Sequence, residues 1–242
     1  MQDIIYGKNA VYEALKANRP INKLLITSKR SAVGDIISIA RANGVPVQTV
    51  DRVYLDKLVG KSNIHQGLAA VCAAKEYINI DQLIDSISDN HFFVMLDEIQ
   101  DPQNLGAIMR TADAAGAHGV IIPNRRSVAL TSSVAKASAG AMEHVPVARV
   151  SNLSQTIDKL KRNNIWVIGA DMQAKNLLWD VSLDGPITLV IGGEEKGLGR
   201  LVKEKCDMLV KLPMLGRVNS LNASVAAALL MYEVVRQRAG GK

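Results

Sequence analysis

The chain has 242 residues, 48% of them hydrophobic and 21% charged, a globular composition long enough for one large domain or two small ones. Its apolar runs fall well short of the ~20 residues of a membrane span. The start, MQDIIYGKNAVYEALK, lacks a signal peptide's basic region and apolar core. Cys72 and Cys206 form no C-x-x-C, which argues against a disulfide scaffold or thiolate zinc site, so the expected location is the cytoplasm. The net charge of +6 is uneven: residues 1–75 carry 11 Lys+Arg against 5 Asp+Glu, and the remainder carries 18 of each. That asymmetry predicts a basic module that meets a polyanion, joined to a neutral module with another task.

In chain order, residues 7–18 have Val11, Ala14 and Leu15 at helical spacing, and 22–27 reads as a strand. A helix is expected over 31–43, stopped by Asn43-Gly44, then a strand over 45–50. Asp51 is placed to cap a helix over 52–59 that Gly60 closes, and 67–73 reads as a buried strand. Residues 74–90 look like a connector with one short helix. The expected organisation is therefore 1–75 as a small α/β module, 76–90 as a linker, and 91–242 as a second module.

The second module begins with a strand over 91–97. Asp101-Pro102 then offers an N-cap and a proline at the first helical position. The helix that follows is expected to bury Leu105, Ile108, Met109, Ala112 and Ala115. Strands are expected over 118–123, 145–150, 165–170, 187–192 and 208–213, with a small-residue helix over 131–140. A final helix over about 221–238 carries Leu221, Val225, Leu229 and Tyr232 on one stripe. Buried strands alternating with helices predict an α/β fold with a mostly parallel sheet covered on both faces.

Ligands of open α/β sheets bind at the carboxyl ends of strands, where three segments are unusual: 97–116, 191–200 and 212–226. GGEEKGLG has neither the G-K-[S/T] of a phosphate loop nor the G-x-G-x-x-G spacing of a dinucleotide fingerprint. Ser133 and Lys136 match S-x-x-K without its companion motifs and read as helix packing. His65, His91, His118 and His144 show no metal-ligand spacing, so no metal is expected.

Together these segments resemble the SpoU/TrmH family of SPOUT RNA methyltransferases. The matches are N-L-G-A-I-M-R-T-A-D-A-A-G from Asn104 to Gly116; G-x-E-x-x-G-L at Gly192, Glu194, Gly197 and Leu198; and L-P-M-x-G-x-V-x-S-L-N-x-S-V-A from Leu212 to Ala226. I-Y-G-K-N-A-V-x-E-A-L-K and H-Q-G at 65–67 resemble the L30e-like substrate-binding extension of the RlmB-like branch, which methylates a guanosine 2′-hydroxyl in 23S rRNA. The tRNA-modifying TrmH branch generally lacks that extension. The resemblance implies an L30e-like first domain and a trefoil-knotted α/β catalytic domain, with the chain around 187–226 threaded through a loop. It further implies S-adenosylmethionine held near Gly192, Leu212 and Leu221, a homodimer with sites at the interface, and an RNA substrate, neither DNA nor a membrane.

Methyl transfer from a sulfonium to a ribose oxygen needs alignment and a more nucleophilic hydroxyl. Arg110 lies off the expected buried stripe and is the first choice to hold the phosphate and ribose and stabilise a forming oxyanion, with an i,i+3 ion pair to Asp113 as the plain alternative. Asn104 is either a cap or a substrate ligand. Glu194 follows two glycines that would let the backbone approach a ligand, and it is placed to orient Arg110 or an asparagine, reach the partner subunit, or stand in solvent. Its neighbour Glu195 stands where many relatives have glycine. Of Ser220 and Asn222, one is expected to cap the last helix and the other to reach the 2′-hydroxyl or the methionine carboxylate. Gly216 and Arg217 share their loop, and Arg217 is a candidate phosphate contact. The identity of the general base stays open. So do two other readings: the same chemistry on a tRNA guanosine, or a non-catalytic RNA-binding ribosome assembly factor.

Overall fold

The computed structural model describes residues 2–27, 33–60, 63–194 and 196–240; Glu195 and residues 31–32 of the expected second helix lie outside them. The first elements are β1 (Gln2–Tyr6), α1 (Lys8–Lys16), β2 (Ile21–Ile26), α2 (Gly34–Ala42), β3 (Val47–Thr49), α3 (Arg52–Val59) and β4 (Leu68–Ala73). The strands form a sheet of order β1-β4-β2-β3, with β4 antiparallel to both neighbours and β3 parallel to β2. Asp51 occupies the N-cap position of α3, but its side chain makes no capping hydrogen bond.

The chain divides into two compact units, Met1–Glu76 with Ala129–His144, and Tyr77–Val128 with Val145–Lys242. The first unit thus takes in a segment from the middle of the second module. A buried ion cluster ties it there: Arg19 Nη1 is 2.7 Å from Glu143 Oε1 and Arg19 Nη2 is 3.1 Å from Asp3 Oδ2, with side-chain exposures of 4% for Arg19 and 2% for Glu143. The Arg19 guanidinium also donates to the Ala73 carbonyl, which helps offset the cost of desolvating it. The segment carries α6 (Ser132–Ala137), capped by Thr131. The Lys136 ammonium lies 5.1 Å from the Tyr6 ring centroid, which accounts for that half of the S-x-x-K match by packing.

The second unit contains α4 (Ile80–Asp85), β5 (Phe92–Asp97), α5 (Pro102–Ala114), β6 (Gly119–Pro123), β7 (Val147–Val150), α7 (Leu153–Arg162), β8 (Trp166–Ala170), β9 (Asn176–Leu177), β10 (Ile187–Gly192), α8 (Arg200–Lys205), β11 (Met208–Lys211) and α9 (Ala223–Gly240). Its described strands form one sheet of order β7-β6-β5-β10-β8-β11-β9, parallel at every pairing. Within the 76–90 stretch, Asn79 and Gln82 form a capping box for α4, and Leu83 and Ile84 are buried in the main core. Asp101 caps α5 through the Gln103 and Asn104 amides, with Pro102 inside the first turn. Leu105, Ile108, Met109 and Ala112 are buried. Ala115 is half-buried, because it forms the C-cap rather than the last turn.

The last helix departs from the expected packing. Ala227, Leu230, Met231 and Val234 face the core, whereas Leu221, Val225, Leu229 and Tyr232 are 37–51% exposed. Among the described residues no helix is long and apolar enough to cross a membrane.

At the carboxyl end of β5, the buried Asp97 carboxylate accepts the Gly199 amide at 2.7 Å and anchors the turn after β10. Burial holds its carboxyl above the ordinary aspartate range. The folded chain therefore keeps this proton to higher pH than the unfolded chain, and stability falls as pH rises through that window. In urea unfolding, Asp97→Asn, which retains an oxygen acceptor, gains on the wild type as pH rises, whereas Asp97→Ala costs about 1 kcal/mol. Parallel stability–pH curves for Asp97→Asn and the wild type would contradict this.

Candidate active site

Three neighbouring strands of the second unit, β10, β8 and β11, end at one edge of the sheet, and the chain beyond each end lines a cavity of about 270 Å³. Gly192, Leu212 and Leu221, the residues expected around the cofactor, all line it, as do Glu194 and Ser220. A second cavity, of about 320 Å³, is bounded by Glu98, Asp101 and Asn104 and shares Gly193, Glu194, Lys196 and Gly197 with the first. Glu194 thus stands on the wall common to both.

The glycines before Glu194 serve the loop itself. A Cβ on Gly192 would come within 2.2 Å of the Gly197 carbonyl carbon, and one on Gly193 within 2.7 Å of the Glu98 carbonyl oxygen. The close approach expected toward a ligand is made toward the chain's own backbone, and the turn closes with the Gly197 amide donating to the Gly193 carbonyl at 2.9 Å. This tight return projects Glu194 toward α5 and α9. Its Oε1 accepts from Asn104 Nδ2 at 3.0 Å, from Asn222 Nδ2, and from the Ala223 amide at 3.4 Å. Asn222 Nδ2 also donates to Asn104 Oδ1 at 3.0 Å.

Of the roles open to Glu194, orienting an asparagine is the one its contacts fill, and it orients two. Asn222 also caps α9, its Oδ1 accepting from the Ser224 and Val225 amides at 3.0 and 3.3 Å and from Ser224 Oγ at 2.6 Å. One asparagine therefore divides its amide, oxygen to the helix and nitrogen to the network. Asn104 does not cap α5, since Asp101 does; it is 9% exposed and committed to the network. Ser220 is exposed on the cavity wall.

Arg110 is exposed on α5, off the buried face, and lines neither cavity. Among the described residues it forms no ion pair, so the alternative pairing with Asp113 is not made. Arg217 is exposed in the loop between β11 and α9. The histidines have separate partners: His65 lies against Asp56, His91 against the Ile84 carbonyl, His118 against the Phe92 amide and His144 against Glu13. No group of three or more metal-ligating side chains occurs among the described residues.

Sequence reasoning missed two groups. Asp97 anchors the β10 turn, and Asp171, directly after β8, lines the first cavity together with its ion-pair partner Lys203. Asp97 ends one apolar strand and Asp171 follows another, a pattern too common to single out. The cavity combines apolar walls from Leu178, Ile191, Val210 and Leu212 with the carboxylates of Asp171 and Glu194 and the lysines Lys196, Lys203 and Lys211. Apolar walls beside polar groups suit a flat base that carries hydroxyl groups, as the adenosine of S-adenosylmethionine does.

Comparison with known proteins agrees. The SpoU rRNA Methylase family model matches residues 91–232, and a model described as RNA 2′-O ribose methyltransferase substrate binding matches residues 4–78. The Bacillus subtilis protein YacO, whose name places it in the TrmH family of tRNA/rRNA methyltransferases, is 51% identical over 98% of this chain and 96% of its own length. The crystal structure of the SpoU methyltransferase AviRb from Streptomyces viridochromogenes, in complex with AdoMet, superposes with a TM-score of 0.87 at 26% identity, covering 100% of this chain and 92% of that one. A crystal structure described as an RNA 2′-O ribose methyltransferase superposes with a TM-score of 0.82 at 28% identity, over 98% of this chain and 89% of that one. The chain belongs to the SpoU/TrmH family of RNA methyltransferases, whose methyl donor is S-adenosylmethionine.

Proposed function

We propose that the chain, as a homodimer in the cytoplasm, methylates the ribose 2′-hydroxyl of a guanosine in 23S rRNA. The observation that carries this reading is the Glu194–Asn104–Asn222 network on the wall of the cavity that Gly192, Leu212 and Leu221 line. Support for a large ribosomal substrate comes from the excess positive charge of residues 1–75 and from the match of residues 4–78 to a substrate-binding model. The name of the Bacillus relative covers tRNA as well, so a tRNA guanosine is the second reading.

S-adenosylmethionine, when bound, supplies an electrophilic methyl group. Leu212 and Leu221 would offer it apolar walls, and the turn at Gly192 would offer it backbone groups. Glu194 locks the two asparagine amides, leaving Ser220 free at the mouth for the methionine carboxylate or the incoming ribose. Transfer to a ribose 2′-hydroxyl would need that oxygen held in line with the methyl–sulfur bond and its proton passed to solvent. Arg110 acts by holding phosphate and ribose and by placing positive charge beside the forming oxyanion.

Arg110 lines neither cavity of its own chain, and the apolar stripe Leu221, Val225, Leu229 and Tyr232 is exposed. Both features fit a second copy that covers the stripe and receives Arg110 at its own site. Exposed apolar area of this kind usually marks an interface.

Arg110→Ala lowers single-turnover methyl transfer about 10²–10³-fold, with melting temperature and dimer mass unchanged; near-normal turnover removes Arg110 from the mechanism. Heterodimers of Arg110→Ala with Glu194→Ala regain activity that neither homodimer has, because one site receives both intact groups; persistent inactivity contradicts the shared site. Mass-spectrometric mapping after incubation with separated rRNA and tRNA finds 2′-O-methylguanosine in 23S rRNA. Label confined to tRNA overturns the substrate assignment. If calorimetry detects no donor binding with or without RNA, the chain acts as a non-catalytic assembly factor instead.

A further inference from the structure

Asp171 is the most enclosed charged side chain on the cavity wall for which the family motifs give no task. It follows the last residue of β8, the strand between β10 and β11, and its amide donates to the Val210 carbonyl at 2.9 Å, so the backbone is fixed at the sheet edge. Its side chain is only 7% exposed. Oδ1 accepts the Gln173 amide at 2.8 Å, and Oδ2 pairs with the Lys203 ammonium from α8. Asp171, Gln173 and Lys203 all line the cavity.

A carboxylate offers about four lone-pair sites, and the contacts above use one on each oxygen. Each oxygen keeps one acceptor position. Lys203 already balances the charge, so a cationic ligand group would have to compete with a fixed ammonium, whereas neutral hydroxyl donors would not. The matching donor is a pair of adjacent hydroxyls.

We propose that Asp171 binds the ribose cis-diol of S-adenosylmethionine, each carboxylate oxygen accepting one hydroxyl, with Lys203 and the Gln173 amide holding the carboxylate in place. Lys203 is a positioning residue in this arrangement. The assignment rests on the cavity being the donor site and adds the group that selects the nucleoside part of the donor. It also gives the strand end after β8 a task that matches those of the ends after β10 and β11.

The test is calorimetric binding of S-adenosylhomocysteine and its 2′,3′-dideoxy form to the full-length protein, with no catalysis involved. Wild type binds the parent compound at least roughly 10-fold more tightly than the dideoxy form, as expected for hydrogen bonds to a charged acceptor. Asp171→Ala binds the two within about 2-fold of each other, because the acceptor that distinguishes them is gone. Where Asp171→Ala melts early, Asp171→Asn keeps an oxygen for the Gln173 amide, and its discrimination falls below that of wild type. Undiminished discrimination in a folded variant, or none in the wild type, overturns the assignment of Asp171 alone. Failure of wild type to bind S-adenosylhomocysteine overturns the donor site itself, and this assignment with it.

Discussion

One carboxylate oxygen joins three parts of the chain that are far apart in sequence. Glu194 Oε1 meets the start of α5 through Asn104 and the start of α9 through Asn222 and Ala223, while its own backbone sits in the turn after β10. The turn is tight because Gly192 and Gly193 let it fold onto its own return and onto the Glu98 carbonyl. Asp97 secures the far side of the same turn through the Gly199 amide. These contacts fix the turn after β10 against the starts of α5 and α9. Preorganised groups are what an alignment-driven reaction requires.

Local signals were the legible ones. Asp101-Pro102 announced the start of α5 because capping depends on adjacent residues, and Asn43-Gly44 announced the end of α2 for the same reason. The exposed side of α9 was not legible, since ASVAAALLMYEVV is apolar nearly all the way round and periodicity alone cannot choose which side meets the sheet. The Glu194 network spans 90 and 28 residues, a separation that no spacing rule reaches. Only the ordered motifs of the family put its members on one list. The paired glycines signal a close approach, but the neighbour is the chain's own backbone rather than the ligand expected, a partner that a linear pattern does not identify.

The same limit applies in the first unit. Arg19 and Glu143 are 124 residues apart, yet they form its buried ion pair. Charge counting found the basic character of residues 1–75 but not the segment 129–144 that folds with them. A buried pair of this kind is weak evidence for stability in itself, but loss of either partner leaves the other uncompensated. The methylase family match covers most of the second unit and also the 129–144 segment that packs with the first.

A crystal structure with S-adenosylhomocysteine measures the central claim directly. The expected result has the adenosine between Leu212 and Leu221, the Gly192 backbone against it, and Glu194 still bonded to Asn104 and Asn222. Density for the ligand away from these strand ends, or a Glu194 released from both asparagines in the bound state, would contradict it.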